Sequence, residues 1–171
     1  ADGRGVRGVA VEWTVTAGGG TVSAGSSTSD AAGEARTRWT LGTHAGSQTV
    51  TASVQGLAPL RFAATATAGA AAKLEKGGGD GQRAAVGSPL PDSLVVTVVD
   101  AHGNPVAGQA VAWRVAAGAA TLGAVQTATD VSGTARVRLT LGAVAGEVVV
   151  EAAGAGLAGS PLTFRARGTR R

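Results

Sequence analysis

The chain has 171 residues, a net charge of +4, 44% hydrophobic residues, 28 glycines and no cysteine. This length suits one large domain or two small ones, and the absence of cysteine excludes a disulfide framework and a thiolate metal site. No apolar run approaches the roughly 20 residues that span a bilayer, so direct membrane insertion is not expected. The many glycines and small side chains favour short strands joined by tight turns.

The first predicted strand is the run VEWTV at residues 11–15, in which two valines and Trp13 alternate with Glu12 and Thr14. Successive side chains of a strand point to opposite faces, so this period of two predicts a half-buried strand with its apolar residues inward.

The second half of the chain contains further runs of this kind. Residues 94–99 predict a central strand, and the turn DAHGNPVAG leads from it to the strand VAWRV around Trp113. The later runs RVRLTL, EVVVEA and LTFRAR also alternate. Their inward residues are Val137, Leu139, Leu141, Val148, Val150, Leu162 and Phe164. Glycine and proline turns separate the runs, a pattern typical of an antiparallel β-sandwich.

One phrase occurs twice, as RTRWTLGTHAG at residues 36–46 and as RVRLTLGAVAG at residues 136–146. Residues 8–58 align with residues 108–158 without a gap, and about half of the positions are identical. After a two-residue insertion at 159–160, the copies continue as PLRFAATA and PLTFRARG. One repeat therefore has about 100 residues, which is the size of an immunoglobulin-like sandwich.

The two copies differ at their N-terminal ends. Residues 1–8 align with residues 101–108, so the first copy is expected to lack roughly two N-terminal strands of a seven-stranded unit. We therefore expect an all-β protein of two tandem immunoglobulin-like antiparallel β-sandwiches, with a partial domain at residues 1–69 and a complete domain at residues 70–171. A longer array or a neighbouring identical chain would supply the missing strands. The inward side chains expected to be partly uncovered are Trp13, Val15, Trp39 and Phe62.

Three ordered segments of the second copy are distinctive, namely LVVTVVDAHGNPVAGQAVAWRV, TATDVSGTARVRLTLGAVAG and GLAGSPLTFRARG. Together they resemble the bacterial immunoglobulin-like domains that occur in tandem in invasin and intimin adhesins. The resemblance covers residues 70–168 and, as a partial second copy, residues 8–66. It implies an extracellular or bacterial cell-surface stalk segment without catalytic activity, whose partners are neighbouring domains of the same chain or of identical chains.

Candidate catalytic and metal-binding residues are few. His44 and His102 occupy different repeat positions and have no nucleophile or paired carboxylate at a triad spacing, so both are interpreted as turn histidines. Asp30 and Asp130 each precede a glycine by three positions, a spacing typical of a side-chain-capped turn. A calcium site is the alternative, although no acidic cluster approaches the roughly six to eight oxygens that calcium prefers. The further carboxylates considered for it are Asp80, Asp92 and Asp100. We expect no enzymatic activity, no cofactor and no metal.

Outward arginines recur in both copies, at Arg36 and Arg38 and again at Arg136 and Arg138. They are candidate contacts for anionic surface polysaccharide or for acidic neighbours along a fibre. Alternatively, charges on an exposed sheet keep it soluble and discourage edge-to-edge pairing. The C-terminal run RARGTRR lacks the aromatic groups or recognisable module of a nucleic-acid binder, so nucleic acid is not an expected partner.

Three functions remain open. The leading one is a non-catalytic structural spacer in a bacterial cell-surface or secreted adhesin-like repeat protein, because a tandem array gains length by repeating small domains. One alternative is an immunoglobulin-like module that binds carbohydrate or protein through its end loops. The other is a subunit of an extracellular fibre assembled by strand exchange.

Overall fold

A computed structural model of the protein describes residues 4–170, and these residues form sixteen β-strands and no helix. Residues 1–3 and Arg171, the last residue of the basic C-terminal run, lie outside the described residues. The chain divides into two compact units between Ala68 and Gly69. The expected all-β class is confirmed.

The first unit has six strands in its described part. They are β1 (Ala10–Ala17), β2 (Gly20–Val22), β3 (Ser26–Thr28), β4 (Trp39–Leu41), β5 (Gly46–Ser53) and β6 (Leu60–Ala66). Four of them form an antiparallel sheet in the order β3-β1-β5-β6, and β2 pairs with β4.

The second unit has ten strands in its described part. They are β7 (Ala71–Gly78), β8 (Gln82–Ala85), β9 (Leu94–Asp100), β10 (Ala110–Ala117), β11 (Ala120–Leu122), β12 (Gln126–Ala128), β13 (Thr134–Val137), β14 (Leu139–Leu141), β15 (Gly146–Ala153) and β16 (Leu162–Thr169). A five-stranded sheet has the order β12-β10-β15-β16-β8, a three-stranded sheet has the order β13-β9-β7, and β11 pairs with β14. The predicted central strand is confirmed as β9.

One pairing in the second unit departs from the antiparallel prediction. The short strand β8 runs parallel to β16, with Arg83 in register with Arg167. The chain leaves β7 in one sheet, turns at Asp80 and Gly81, and joins the edge of the other sheet beside β16. Because the chain crosses to the other sheet before β8 begins, no hairpin forces β8 to run antiparallel to β16.

The core of the second unit lies between its sheets. The apolar side chains of β9 and β7 pack in one buried cluster with those of β10, β15 and β16. Trp113 and Phe164 form a tilted pair at its centre, with ring centroids 6.0 Å apart, and the Trp113 Nε1 donates a hydrogen bond of 2.8 Å to the Thr127 hydroxyl. The predicted inward residues of the second copy are buried except for the half-buried Val115 and Leu162, so the period-two interpretation is confirmed.

The matched parts of the two copies have the same strand pairing. Trp13 lies opposite Ala52 in the first unit, and Trp113 lies opposite Ala152 in the second. Both copies contain a register shift two residues after the tryptophan. The repeat in the sequence is therefore also a repeat of the sheet geometry.

The two units differ where the second one places β7, β8 and β9. Among residues 4–68, no strand corresponds to these three. Residues 34–37, which align with β13, also form no strand, because β13 exists by pairing with β9. As a result, only the β2–β4 pair and the adjoining loops cover the main sheet in the described part of the first unit. No helix with the length and apolar character of a membrane span occurs between residues 4 and 170.

Candidate functional site

All four arginines singled out from the sequence are exposed. Arg136 is on β13 and Arg138 lies between β13 and β14, whereas Arg36 lies in the irregular segment of the first unit and forms an ion pair with Glu34. Their alternation with inward residues places each pair on one outward face of its own unit. Their role as contacts for polysaccharide or for neighbouring domains stays a prediction.

A denser basic surface occurs at the parallel edge of the second unit. Arg83, Arg165 and Arg167 line a groove of about 310 Å³ together with Glu147. Arg165 forms an ion pair with Glu147 at 2.5 Å, and this hydrogen bond raises the pKa of the Arg165 guanidinium. Sequence reasoning missed this group because Arg83 reaches β16 only through the parallel pairing of β8.

The two aspartates at matching repeat positions cap tight turns. Oδ1 of Asp30 accepts hydrogen bonds from the backbone amides of Ala32 and Glu34, at 2.9 and 3.0 Å. Asp130 accepts from the amides of Ser132 and Thr134 in the same way. These hydrogen bonds hold the pKa of Asp30 below its ordinary value, the Glu34 amide having the largest effect. The predicted side-chain-capped turn is confirmed.

Asp100 is a buried carboxylate at the end of β9. It accepts hydrogen bonds of 2.8 Å from the Asn104 side chain and from the backbone amides of Gly69, His102 and Asn104. The Asn104 side chain, followed by the Gly69 amide, lowers the pKa of Asp100 far below its ordinary value. The carboxylate therefore joins the first residue of the second unit to the turn that follows β9.

Asp80, in the turn between β7 and β8, is also held by neighbours. Partial burial raises its pKa, but hydrogen bonds from Lys76 and from the Arg165 amide outweigh burial and lower it. Within residues 4–170, no three histidine, aspartate or glutamate side chains lie close enough together to hold a metal ion. Both histidines are exposed turn residues, as interpreted. The backbone amide of His102 donates a hydrogen bond to the Asp100 carboxylate.

The most unusual surface of the first unit is apolar. We call it the open face and define it by five side chains of the main sheet and its neighbours: Val11, Trp13, Trp39, Leu60 and Phe62. Two adjoining grooves of about 240 and 390 Å³ run along it. Leu60 is 66% exposed and Phe62 is 47% exposed, whereas Phe164, the counterpart of Phe62 in the second unit, is 1% exposed. Sequence analysis expected the inward residues of this unit to be partly uncovered, and these exposures agree with that expectation.

Comparison with known proteins identifies the type of domain. The family model of the bacterial Ig-like domain (group 1) matches residues 91–169, which is a little under half of the chain. The comparison with curated proteins found no match.

Several solved structures resemble the chain. Invasin, a bacterial integrin-binding protein, is 20% identical with a TM-score of 0.50, and the alignment covers 97% of this chain and 33% of invasin. The D00-D0 domain of intimin is 17% identical with a TM-score of 0.48, and the alignment covers 99% of this chain and 88% of that one. The adhesin InvE of Yersinia pseudotuberculosis is 17% identical with a TM-score of 0.45, covering 99% and 51% of the two chains.

The matched range of the family model starts just before β9 and ends at the last residue of β16. It therefore contains most of the strands that build the core around Trp113, with β7 outside it. The likeness to invasin, at its low identity, concerns the fold, and that fold is the sandwich described above. The resemblance to bacterial Ig-like domains is confirmed, since residues 91–169 match the family model of the bacterial Ig-like domain (group 1).

Proposed function

We propose that the chain is a non-catalytic spacer, or stalk segment, of a bacterial cell-surface or secreted adhesin-like repeat protein. The observation that carries this proposal is the repetition of one sheet geometry at an offset of 100 residues, with Trp13 and Trp113 opposite equivalent alanines. A chain that repeats a small sandwich becomes longer without needing a further binding or catalytic site. The partners of such a segment are neighbouring Ig-like domains, and its location is outside the cell.

The proposal treats residues 1–69 as a partial domain and residues 70–171 as a complete one. The second of these has a continuous core of its own, in which Leu94, Val96 and Val98 are at most 1% exposed. A domain with its own core can fold without its neighbours, which suits a module that is added to an array. Its carboxylates at Asp100 and Asp130 are engaged in turns, which supports a structural rather than a catalytic use.

A display experiment tests the spacer role. The chain is placed between a bacterial surface anchor and an epitope tag, and a matched version carries the second unit twice. We expect antibody access to the tag to increase with the number of units and to be unchanged by Arg136→Ala together with Arg138→Ala. Access that does not depend on the number of units would contradict the proposal.

A second candidate function is the binding of anionic polysaccharide, and the basic groove at the parallel edge favours it. Arg83 and Arg167 lie in register on adjacent strands, and Glu147 lies in register on the other side of Arg167. With Arg165, the groove therefore has three arginines and one carboxylate, which favours an anionic ligand. Retention of the chain on an acidic polysaccharide column tests this function. Arg83→Ala with Arg167→Ala should abolish salt-sensitive retention, whereas Arg136→Ala with Arg138→Ala is the matched control. Equal retention of both double variants would reject the groove as the binding site.

A further inference from the structure

The first and the last segments of the second unit run side by side in the same direction. Strand β8 pairs in parallel with β16 over four positions, the last of which places Ala85 opposite Thr169. Nearer the start of the unit, Lys73 of β7 forms a parallel bridge with Ala158, shortly before β16 begins. The N-terminal segment of this unit therefore lies along its C-terminal strand.

A carboxylate strengthens this contact just before the β8–β16 ladder. The Gly81 amide donates a hydrogen bond of 2.8 Å to the Arg165 carbonyl, and the Arg165 amide donates one of 2.8 Å to Oδ1 of Asp80. Asp80 also forms an ion pair of 2.5 Å with Lys76 of β7. The turn between β7 and β8 is thus attached to β16 by its backbone and by a side chain.

The contact continues at the other end of the ladder. The Val86 amide donates a hydrogen bond of 3.0 Å to the Thr169 carbonyl, and the Thr169 hydroxyl donates one of 3.2 Å to the Ala84 carbonyl. We call the whole set of hydrogen bonds between residues 80–86 and residues 165–169 the clamp.

A chain that is stretched along its length pulls these two segments in opposite directions. Tension enters the second unit at Gly69, before β7, and leaves it after Thr169, at the end of β16. Because the two segments are parallel, these points lie beyond opposite ends of the clamp. The tension therefore acts along the strands and strains all hydrogen bonds of the clamp at the same time. A pair of strands pulled apart from one end would instead lose its hydrogen bonds one after another.

We infer that the clamp is the element of the second unit that resists tension, and that the unit stays folded under tension until the clamp breaks. Strand β7 also pairs with β9, but when β7 is detached the tension reaches β8, whose partner is the C-terminal strand itself. The core determines the stability of the unit at rest. The clamp determines how fast the unit unfolds when it is pulled, since forced unfolding is governed by the unfolding rate.

This inference goes beyond the spacer role and can fail separately from it. The display experiment measures how far the chain holds an epitope from a surface, and it applies no force to the chain. A unit whose forced unfolding does not depend on the clamp could still pass that experiment. A chain that fails it would still contain the parallel segments on which the inference rests.

The test stretches the full chain at constant force between two single-molecule handles. One handle is joined to the N-terminus and the other to a cysteine added after residue 171, which is a unique attachment point because the chain has no cysteine of its own. The second unit is recognised by the longer stretch of chain that it releases, since it contains residues 69–171 and the first unit ends at residue 68. The measured quantity is the unfolding rate of the second unit.

Val86→Pro removes one hydrogen bond of the clamp and suits the local backbone. Val86 is the second residue of a turn that is closed by a hydrogen bond from the Ser88 amide to the Ala85 carbonyl, and Gly87 at the third position has a φ of 73°. Proline is common at the second position of such a type II turn, but it lacks the amide that donates to Thr169. We expect unfolding under tension to be at least about fivefold faster, the effect of one lost backbone hydrogen bond.

Asp80→Ala and Asp130→Ala form a matched pair of variants. Each removes a carboxylate that accepts backbone amides, but Asp80 holds the Arg165 amide within the clamp, whereas Asp130 holds the Ser132 and Thr134 amides of a turn outside it. We expect Asp80→Ala to unfold at least about fivefold faster under tension. Asp130→Ala should lower the urea midpoint but change the forced unfolding rate by less than about twofold, because its turn is still intact when the clamp breaks.

A second attachment point tests the direction of the force. Ala155 is exposed in the loop between β15 and β16, and this loop reaches the start of β7, where the Ala158 amide donates to the Ala72 carbonyl. Force between the N-terminus and a handle on Ala155→Cys therefore acts at one end of the parallel segments and opens their hydrogen bonds in sequence. We expect the second unit to unfold at least about tenfold faster than with end-to-end attachment at the same force, because fewer hydrogen bonds break together.

Three results would overturn the inference. The first is an unchanged rate of forced unfolding in both Val86→Pro and Asp80→Ala. The second is equal acceleration by Asp130→Ala and Asp80→Ala, because the rate would then follow general stability. The third is the same unfolding rate for the two attachment points, because the parallel arrangement would then have no mechanical effect.

Discussion

Phe62 and Phe164 occupy the same repeat position in two different environments, so their truncation measures what a covering strand contributes. Phe164→Ala removes a side chain that is 1% exposed and lies 6.0 Å from Trp113. Such a change loses the transfer free energy of the ring and leaves an enclosed cavity, and it typically costs about 3 to 5 kcal/mol. We expect this loss in the free energy of unfolding of the second unit.

Phe62→Ala should cost much less in the first unit. The Phe62 side chain is 47% exposed, so roughly half of a full transfer term of about 1.5 to 3 kcal/mol is lost. Water enters the open groove, and no enclosed cavity adds to the cost. We therefore expect a loss of about 1 kcal/mol in the free energy of unfolding of the first unit.

The two units are followed separately by hydrogen exchange of the β6 and β16 amides during unfolding in urea. Each variant should change the exchange of its own unit and leave the other unit as an internal control. Equal losses for Phe62→Ala and Phe164→Ala would refute the reasoning, because burial would then not determine the contribution of the ring.

Three other predictions concern the second unit and its turns. Trp113→Ala should lower the free energy of unfolding by about 3 to 5 kcal/mol because the indole is buried. The control Arg114→Ala, which changes an outward side chain, should cost roughly 0.5 kcal/mol or less. Similar urea midpoints for the two variants would mean that the inward face of β10 has been assigned incorrectly. The pKa of Asp100 is lower in the folded state than its ordinary value of 3.8, so stability is complete above that value and declines as the pH falls below it. Asp100→Asn should therefore lower stability at neutral pH and reduce proton uptake on unfolding between pH 5 and 2 by up to about one proton, and an unchanged pH dependence of the urea midpoint would contradict this. Calorimetric titration with calcium should show no saturable micromolar site, because the oxygens of Asp30 and Asp130 already accept amide hydrogen bonds; a saturable site would reject the structural role of these turns.

The strands of the second unit were predictable because burial differs strongly between their two faces. In β10 and β16 the buried and exposed residues alternate as the apolar and polar letters do, with Trp113 and Phe164 inward and Arg165 outward. The capped turns were predictable for a local reason, since the acceptor and its donors lie within four residues of one another.

Other features depend on contacts that the sequence pattern does not reveal. Gln48 takes an inward position on β5 and is fully buried, although a polar letter there predicts an outward residue. Its side chain accepts from the Gly42 amide and donates to the carbonyls of Gly42 and His44, which satisfies the amide. In the second copy a valine stands at the same position, so the repeat alone does not indicate this network.

Residues 34–37 show that a strand pattern is insufficient without a partner strand. The first copy keeps the alternation of β13, with Arg36 outward and Ala35 half-buried, but it forms no strand there. In the second copy the same stretch has four ladder positions opposite β9. The local preference of these residues is therefore weak, and β9 determines their structure.

The geometry of the tryptophan–phenylalanine pair does not depend on whether the pair is covered. The tryptophan and phenylalanine have the same distance and tilt whether the pair is exposed, as with Phe62, or buried, as with Phe164. The hydrogen bond from the indole to β3 or β12 holds the ring from the neighbouring strand of the same sheet. The arrangement of the pair is therefore set within its own sheet, and the strands of the facing sheet in the second unit add burial rather than orientation.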